Sequence, residues 1–348
     1  MRELLSQIDQ WIEKKTPFAV ATVIRTWGSS PRPVGSSMLI TKAMDMAGSV
    51  SGGCVETAVV REAIPLIESG DGKRLAYGVA DEDAWAVGLS CGGKIQVYLE
   101  PFVAFDKREA SRAVWKALRE GFDQDRGCVL VTALADGPTS HTVVFPDGKI
   151  VGDKLTLSLT DEALTAYRER RHIATADEDG REFFLQVFAP KPRLLIIGAA
   201  HITSDLVALA TQFDFHVTVI DPRGAFANKT SFPVAPDELV VCYPSEVLPD
   251  IDLDPYTWAV VLSHDPKIDD DALRILLPSQ VAYIGALGSK RTHAKRIKRL
   301  MDGGFDEEIL NRIHAPIGLD INARTPREIA LAILGEMIRE KNRYVQRS

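Results

Sequence analysis

Two cysteines framed by glycines are the residues of this chain best suited to chemistry. Cys54 stands in Gly48-Ser49-Val50-Ser51-Gly52-Gly53-Cys54-Val55-Glu56, and Cys91 in Leu89-Ser90-Cys91-Gly92-Gly93-Lys94. Val55, Val59, Val60, Ala63, Ile64 and Ile67 then recur at helical spacing, which predicts a helix starting at Cys54; Pro65 is expected to bend or end it early. A thiol at a helix N-terminus meets unpaired backbone N–H groups and the positive end of the dipole. Both lower its pKa and favour the reactive thiolate. The alternative is a small buried hydrophobe beside a tight turn. Cys91 precedes an alternating strand carrying Ile95, Val97 and Leu99.

A second constellation lies in the other half. An apolar strand at 194–197 runs into Gly198-Ala199-Ala200-His201, then a helix with Ile202, Leu206, Leu209, Ala210 and Phe213 on one face, then a strand at 216–220 ending in Asp221-Pro222-Arg223. Asp221 follows Gly198 by 23 residues, close to the spacing of a ribose-binding carboxylate in a dinucleotide fold. Ala200 and Thr203 replace the second and third glycines of that fingerprint, and a methyl group at 200 crowds a pyrophosphate. Two further loops fall at predicted strand ends, where open α/β sheets bind ligands. They are Ser263-His264-Asp265-Pro266 and Gly285-Ala286-Leu287-Gly288-Ser289-Lys290-Arg291. The second offers backbone N–H groups, a hydroxyl and two cations, which suits a phosphate. His201 and His264 are expected at the same sheet edge. Lys295, Arg296, Lys298 and Arg299 continue the basic run as a solvated face or a partner surface.

These residues need positioning elements, and the chain supplies them in two styles. Before residue 190 the pattern is mixed: an amphipathic helix with Leu4, Leu5, Ile8, Trp11 and Ile12, a strand at 18–24, and a loop from Arg25 to Gly35 stiffened by Pro31 and Pro33. A hairpin at 37–40 and 47–50, a charged helix at 107–120 and strands near Cys128 and 142–145 follow. Ala189-Pro190-Lys191-Pro192 marks a boundary. After it, fully apolar strands alternate with helices, and Thr325-Pro326-Arg327-Glu328 is a capping box with proline at the first helical position. The expected class is α/β, with a C-terminal Rossmann-like parallel sheet and an N-terminal mixed α+β domain. The expected divisions are 1–104, a continuation and linker over 105–190, and 191–348.

The 348 residues suffice for two or three cores, with 45% apolar and 26% charged residues. A net charge of −7 argues against general nucleic-acid binding. The four cysteines form no C-x-x-C pair or zinc spacing, and Cys128 and Cys242 fall in strand-like runs read as core. Met1-Arg2-Glu3 opens without the charged-then-apolar pattern of a signal peptide, so none is expected, and no uncharged run approaches the ~18 residues of a membrane span. A cytoplasmic protein with reduced thiols and no membrane partner is expected.

The stretches 25–35, 48–56 and Cys91-Gly92-Gly93, with 217–223, 263–266, 283–293, His314-Ala315-Pro316-Ile317-Gly318-Leu319-Asp320 and the Thr325 capping box, resemble the XdhC/CoxI accessory proteins of molybdenum hydroxylases. The resemblance implies a chaperone that binds molybdenum cofactor, shields it while a cysteine desulfurase installs the sulfido ligand, and delivers it to an apo-enzyme of the xanthine dehydrogenase type. It implies a cargo of molybdopterin, alone or as the cytidine dinucleotide form. Soft thiolates suit molybdenum or a persulfide, so Cys54 is the expected metal contact, with Cys91 assisting. The cofactor-binding set is Arg32, Gly52, Gly53, Glu56, Gly198, His201, Asp221, Arg223, His264, Asp265, Gly285, Gly288, Ser289, Lys290 and Arg291, with the metal towards Cys54 and the phosphate towards the second half. A homodimer is compatible with a hand-over role. The rival function is an NAD(P)-dependent oxidoreductase with a reactive cysteine, which needs the Gly198 turn to hold the nucleotide.

Overall fold

A computed structural model describes residues 1–53, 55–78, 93–106, 108–224 and 232–347, with backbone only from 343. Cys54 and Cys91 lie outside the described residues. The chain divides into two compact units, Met1–Ala189 and Pro190–Ser348.

The first unit carries α1 (Leu5–Glu13), β1 (Phe18–Trp27), β2 (Ser37–Thr41), β3 (Met46–Gly48), α2 (Glu56–Ser69), β4 (Asp71–Tyr77) and β5 (Lys94–Pro101). It continues with α3 (Glu109–Asp123), β6 (Cys128–Ala133), β7 (Gly137–Pro138), β8 (His141–Val144), β9 (Ile150–Gly152), α4 (Leu157–Glu169), β10 (Ile173–Ala176) and β11 (Glu182–Phe188). These strands build two antiparallel sheets, β3-β2-β1-β5-β4-β7 and β10-β11-β6-β8-β9. β1 is buried through its first seven residues because both its faces are covered. Ala19, Ala21 and Val23 pack with Val55, Val59, Val60 and Ala63 of the α2 region. Phe18 and Val20 face a cluster built with α1, α3, Leu130 and Phe188 of the second sheet. Phe18 stacks on Phe102 at 4.5 Å between ring centroids and meets Trp11 at 5.3 Å.

Pro65 does not end α2, which runs on to Ser69 and closes on Gly70 in the left-handed region (φ +83°). Pro65 and Arg61 are both exposed, so the carbonyl left without a proline N–H faces solvent. Residues 102–188, where the sequence offered one charged helix and two strands, contain two helices and a whole five-stranded sheet.

The second unit runs β12 (Arg193–Ile197), α5 (His201–Gln212), β13 (His216–Ile220), β14 (Glu238–Val240), α6 (Pro244–Val247), β15 (Thr257–Val261), α7 (Pro266–Leu276), β16 (Tyr283–Ala286), α8 (Lys290–Asp302), α9 (Glu307–Leu310), β17 (Ile313–His314) and α10 (Pro326–Arg347). Every strand pair is parallel, in the order β14-β13-β12-β15-β16-β17. Numbered within the unit, that is 3-2-1-4-5-6, the doubly wound dinucleotide-fold order, with its switch point between β12 and β15. Leu194, Ile196, Val217 and Val219 face α5 and α10, while Leu195, Ile197 and Ile220 face α7 and Leu300 of α8. Alternate residues thus enter different cores, which is why these strands are apolar throughout. Cys128 is buried as expected of a core residue. Cys242 lies beyond β14 at the sheet edge and is only half-buried, between exposed Val241 and Tyr243. Among the described residues no helix is long and apolar enough to cross a membrane.

Phe18→Ala is expected to lower the stability of the first unit by about 3–5 kcal/mol, the cost of a vacated aromatic site. Leu157→Ala, at an 86% exposed position, should change it by less than about 0.5 kcal/mol. Urea unfolding of both variants checks the pair.

Candidate functional site

In the first unit the site is organised by a carboxylate. Glu56, the first residue of α2, turns its side chain back onto the loop before it. Its Oε1 accepts from the Ser49 hydroxyl (2.8 Å), the Ser51 and Gly52 N–H groups (both 2.9 Å) and the Val50 N–H (3.3 Å). Its Oε2 accepts from the Ser51 hydroxyl (2.6 Å) and the Gly53 N–H (2.8 Å). Burial acts to raise its pKa, but the Ser51 and Ser49 hydroxyls and the backbone donors outweigh that and hold it at about 2. Six donors meet one acceptor-only group, so Glu56 is a loop-holding residue, where the sequence had placed it among the cofactor contacts. The residues on either side of position 54 are both tied, Gly53 to Glu56 and the Val55 N–H to the Ser51 hydroxyl (3.1 Å).

The turn opens to solvent. Gly52 and Gly53 are exposed at φ +77° and +119°, and a Cβ on Gly53 would meet nothing within 4 Å. The proline-stiffened loop lies against this turn: a Cβ on Gly52 would sit 3.7 Å from Pro31. A Cβ on Gly93 would overlap the Ser29 carbonyl of the same loop. Loop residues 29–31 therefore lie against both Gly52 and Gly93. Arg32 is exposed beside them, its guanidinium without a partner among the described residues.

In the second unit the first βα turn is filled by the protein's own groups. Gly198 has φ +107°, and a Cβ there would lie 2.5 Å from Ser263 Cα, so this glycine serves the close approach of the β15 loop. The Thr203 hydroxyl donates to the Gly198 carbonyl (2.5 Å). Asp221 is fully buried; its Oδ2 accepts from the Ala199 N–H and Arg223 Nη2 (both 2.7 Å), and its Oδ1 from the Arg223 N–H and Nε (both 2.9 Å). Burial raises its pKa, but the Arg223 guanidinium and these N–H groups prevail and the net shift is downward. Both oxygens expected to read a ribose are thus engaged internally. His201 is exposed at the start of α5. His264 is exposed at φ +62° after the neighbouring strand β15, at the same edge of the sheet. Asp265 caps α7 by accepting from the Lys267 N–H (2.9 Å). Gly285 has no room for a Cβ against Ile317, so it too is a packing glycine.

The β16–α8 turn is different. Ser289 caps α8 by accepting from the Thr292 N–H (3.2 Å), and Gly288 takes φ +137°. Among the described residues, the N–H groups of Gly288, Ser289, Lys290 and Arg291 have no acceptor, and Lys290 and Arg291 extend exposed cations beside them. The sequence placed Arg296 in a solvent-facing basic run. Instead it is 2% exposed, with Nη2 donating to the Leu287 carbonyl (2.9 Å) and to Asp269 Oδ2 (3.2 Å). The signal was available: 293, 296, 297 and 300 share one helical face, and Leu300 is core. The sequence reading also missed Glu336. It accepts from the Tyr283 hydroxyl and the Gly318 N–H (both 2.7 Å) and lies 3.8 Å from His314 Nδ1, whose ring stacks on Tyr283 at 4.6 Å. Among the described residues no group of three or more His, Cys, Asp and Glu could hold a metal ion.

A parallel 3-2-1-4-5-6 sheet whose first turn is satisfied from within, in a chain that also presents a carboxylate-held glycine turn, defines a Rossmann-containing protein of two units. A model described as the XdhC Rossmann domain matches residues 194–337, and one described as the XdhC and CoxI family matches residues 11–78. The chain is 30% identical over 340 residues, 97% of each protein, to a probable xanthine dehydrogenase subunit of Bacillus subtilis (strain 168). It is 27% identical over 322 residues to the molybdenum cofactor insertion chaperone PaoD of Escherichia coli (strain K12), covering 91% of this chain and 81% of that one. A crystal structure described as a xanthine dehydrogenase from Bacillus halodurans matches with TM-score 0.75 at 27% identity, over 97% of this chain and 95% of the other. The chain belongs to the XdhC and CoxI family.

The depressed Glu56 sets a pH signature. Its contribution is complete above the unfolded value of 4.5 and is lost as pH falls towards about 2. Glu56→Gln places an amide NH2 among donors and should cost about 1–3 kcal/mol at pH 7. Thermal unfolding of both proteins between pH 7 and pH 2 should show the gap closing only in that acid window.

Proposed function

We propose that this protein is a molybdenum cofactor carrier that protects the cofactor during sulfuration by a cysteine desulfurase and inserts it into a molybdenum hydroxylase of the xanthine dehydrogenase type, within the cytoplasm. The observation that carries this reading is that the 29–31 loop lies against both Gly52, in an exposed and rigidly held turn, and Gly93, with Cys54 next in sequence to Gly53 and Cys91 two residues before Gly93. A thiolate is a soft ligand that suits molybdenum or a sulfur atom in transit, and an exposed turn admits a bulky pterin. The relation to PaoD supports the same cargo. In this reading Cys54 is the metal-facing residue, Cys91 assists it, and Arg32 faces the pterin end. The cargo in this reading is molybdopterin, alone or as its cytidine dinucleotide form. The internal pairing of Asp221 weighs against the rival NAD(P)-dependent oxidoreductase.

Anaerobic binding of released molybdenum cofactor, followed by pterin fluorescence after gel filtration, tests the reading. The wild-type protein should retain cofactor stoichiometrically, and Cys54→Ala should lose at least about tenfold in retention, the scale of one lost soft-ligand contact, with an unchanged circular dichroism spectrum. Retention by neither protein would refute the carrier function. Equal retention by both would reduce Cys54 to a structural residue.

A further inference from the structure

The turn between β16 and α8 gathers donors that no acceptor among the described residues meets. Four consecutive N–H groups, from Gly288 to Arg291, have no acceptor among the described residues, and Gly288 holds a backbone conformation (φ +137°) that other residues rarely adopt. Directly under the turn lies a cation that is almost wholly enclosed. Arg296 Nη2 reaches the Leu287 carbonyl at the foot of the turn, yet Arg296 Nε and Nη1 are buried without any acceptor. His293 Nδ1, three residues earlier on the same helix face, is also buried and unpaired. Asp269, the only carboxylate bonded to Arg296 among the described residues, contacts it through one oxygen at 3.2 Å and gives the other to the Ser263 hydroxyl at 2.5 Å. Asp269 matches the charge, but the guanidinium's Nε and Nη1 are left without an acceptor among the described residues. Native proteins rarely leave buried donors unpaired, and such groups mark a missing water or ligand.

We infer that this turn binds the dianionic phosphate of a phosphate ester, cradled by the Gly288–Arg291 N–H groups, with Lys290 and Arg291 outside and Arg296 as the buried counter-charge beneath. Every group offered is a donor or a cation except the Ser289 and Thr292 hydroxyls, which already pair with each other at 3.0 Å. Such a set selects an acceptor-only anion with three or more oxygens over a carboxylate or a neutral sugar. The turn stands at the carboxyl end of the parallel sheet, where ligands of this architecture bind. Lys295 and Lys298, exposed further along α8 and unpaired among the described residues, add a field that draws anions towards it. The inference rests on the carrier reading only for what the phosphate is attached to.

Inorganic phosphate and pyrophosphate, titrated calorimetrically into the full chain, are the probes. Both should bind, pyrophosphate more tightly, and affinity should fall as salt rises. Lys290→Ala with Arg291→Ala, both at exposed positions, should weaken binding by about tenfold or more with folding intact. Arg296→Lys keeps the charge but loses the planar fork and should weaken binding by a similar factor; if circular dichroism shows it unfolded, the exposed pair decides. Absence of binding at millimolar phosphate, or equal binding by wild type and the exposed double variant, overturns the inference. Cys54→Ala should leave phosphate binding unchanged. Cofactor retention without phosphate binding would sink this site alone, and phosphate binding without cofactor retention would sink the carrier reading alone.

Discussion

The Glu56 carboxylate is the interaction on which the N-terminal site depends. A turn with two successive glycines in positive-φ conformations exposes several N–H groups that the glycines' own side chains cannot satisfy. One acceptor-only group gathers four of those N–H groups and two hydroxyls, which converts a costly run of unpaired donors into a rigid element. The N–H groups of Ser51, Gly52 and Gly53 are already claimed by this carboxylate, so the turn keeps its shape without an outside anion.

The second unit uses the opposite economy. Its first βα turn, the one a dinucleotide would occupy, is closed by Ser263, Thr203 and the Asp221–Arg223 pair. Two strands across the same sheet, the β16–α8 turn keeps its donors unspent. The fold is retained while its anion-binding capacity sits at a different crossover, which the parallel strand order makes geometrically equivalent.

Much of this was legible in the sequence. The parallel sheet followed from continuous apolar strands alternating with helices, and the start of α10 from the Thr325 capping box. The glycine turns at 52, 53, 198 and 288 were visible as turns, but their purposes were not, because a glycine that meets a ligand and one that meets a neighbouring backbone look alike in one dimension. The sequence reads Glu56 and Asp221 as ligand contacts because each is an acid near a glycine turn; in the structure the protein's own donors occupy both carboxylates. Arg296 was hidden among cations of a basic helix, and only the spacing to Leu300 marks its inward face. The second sheet of the first unit was underestimated because its short strands, such as β9 and β10, carry little periodicity.

The contact between Gly198 and Ser263 bears on how relatives of this fold should be interpreted. A glycine at that turn is held by the space the facing loop leaves, and not by a nucleotide. Its presence in this chain therefore follows from the backbone path at position 263, with no dinucleotide needed to explain it. Diagnostic value passes to the residue that pairs with the acid after β13: where an arginine stands two positions beyond that acid, as Arg223 does here, the acid is spoken for.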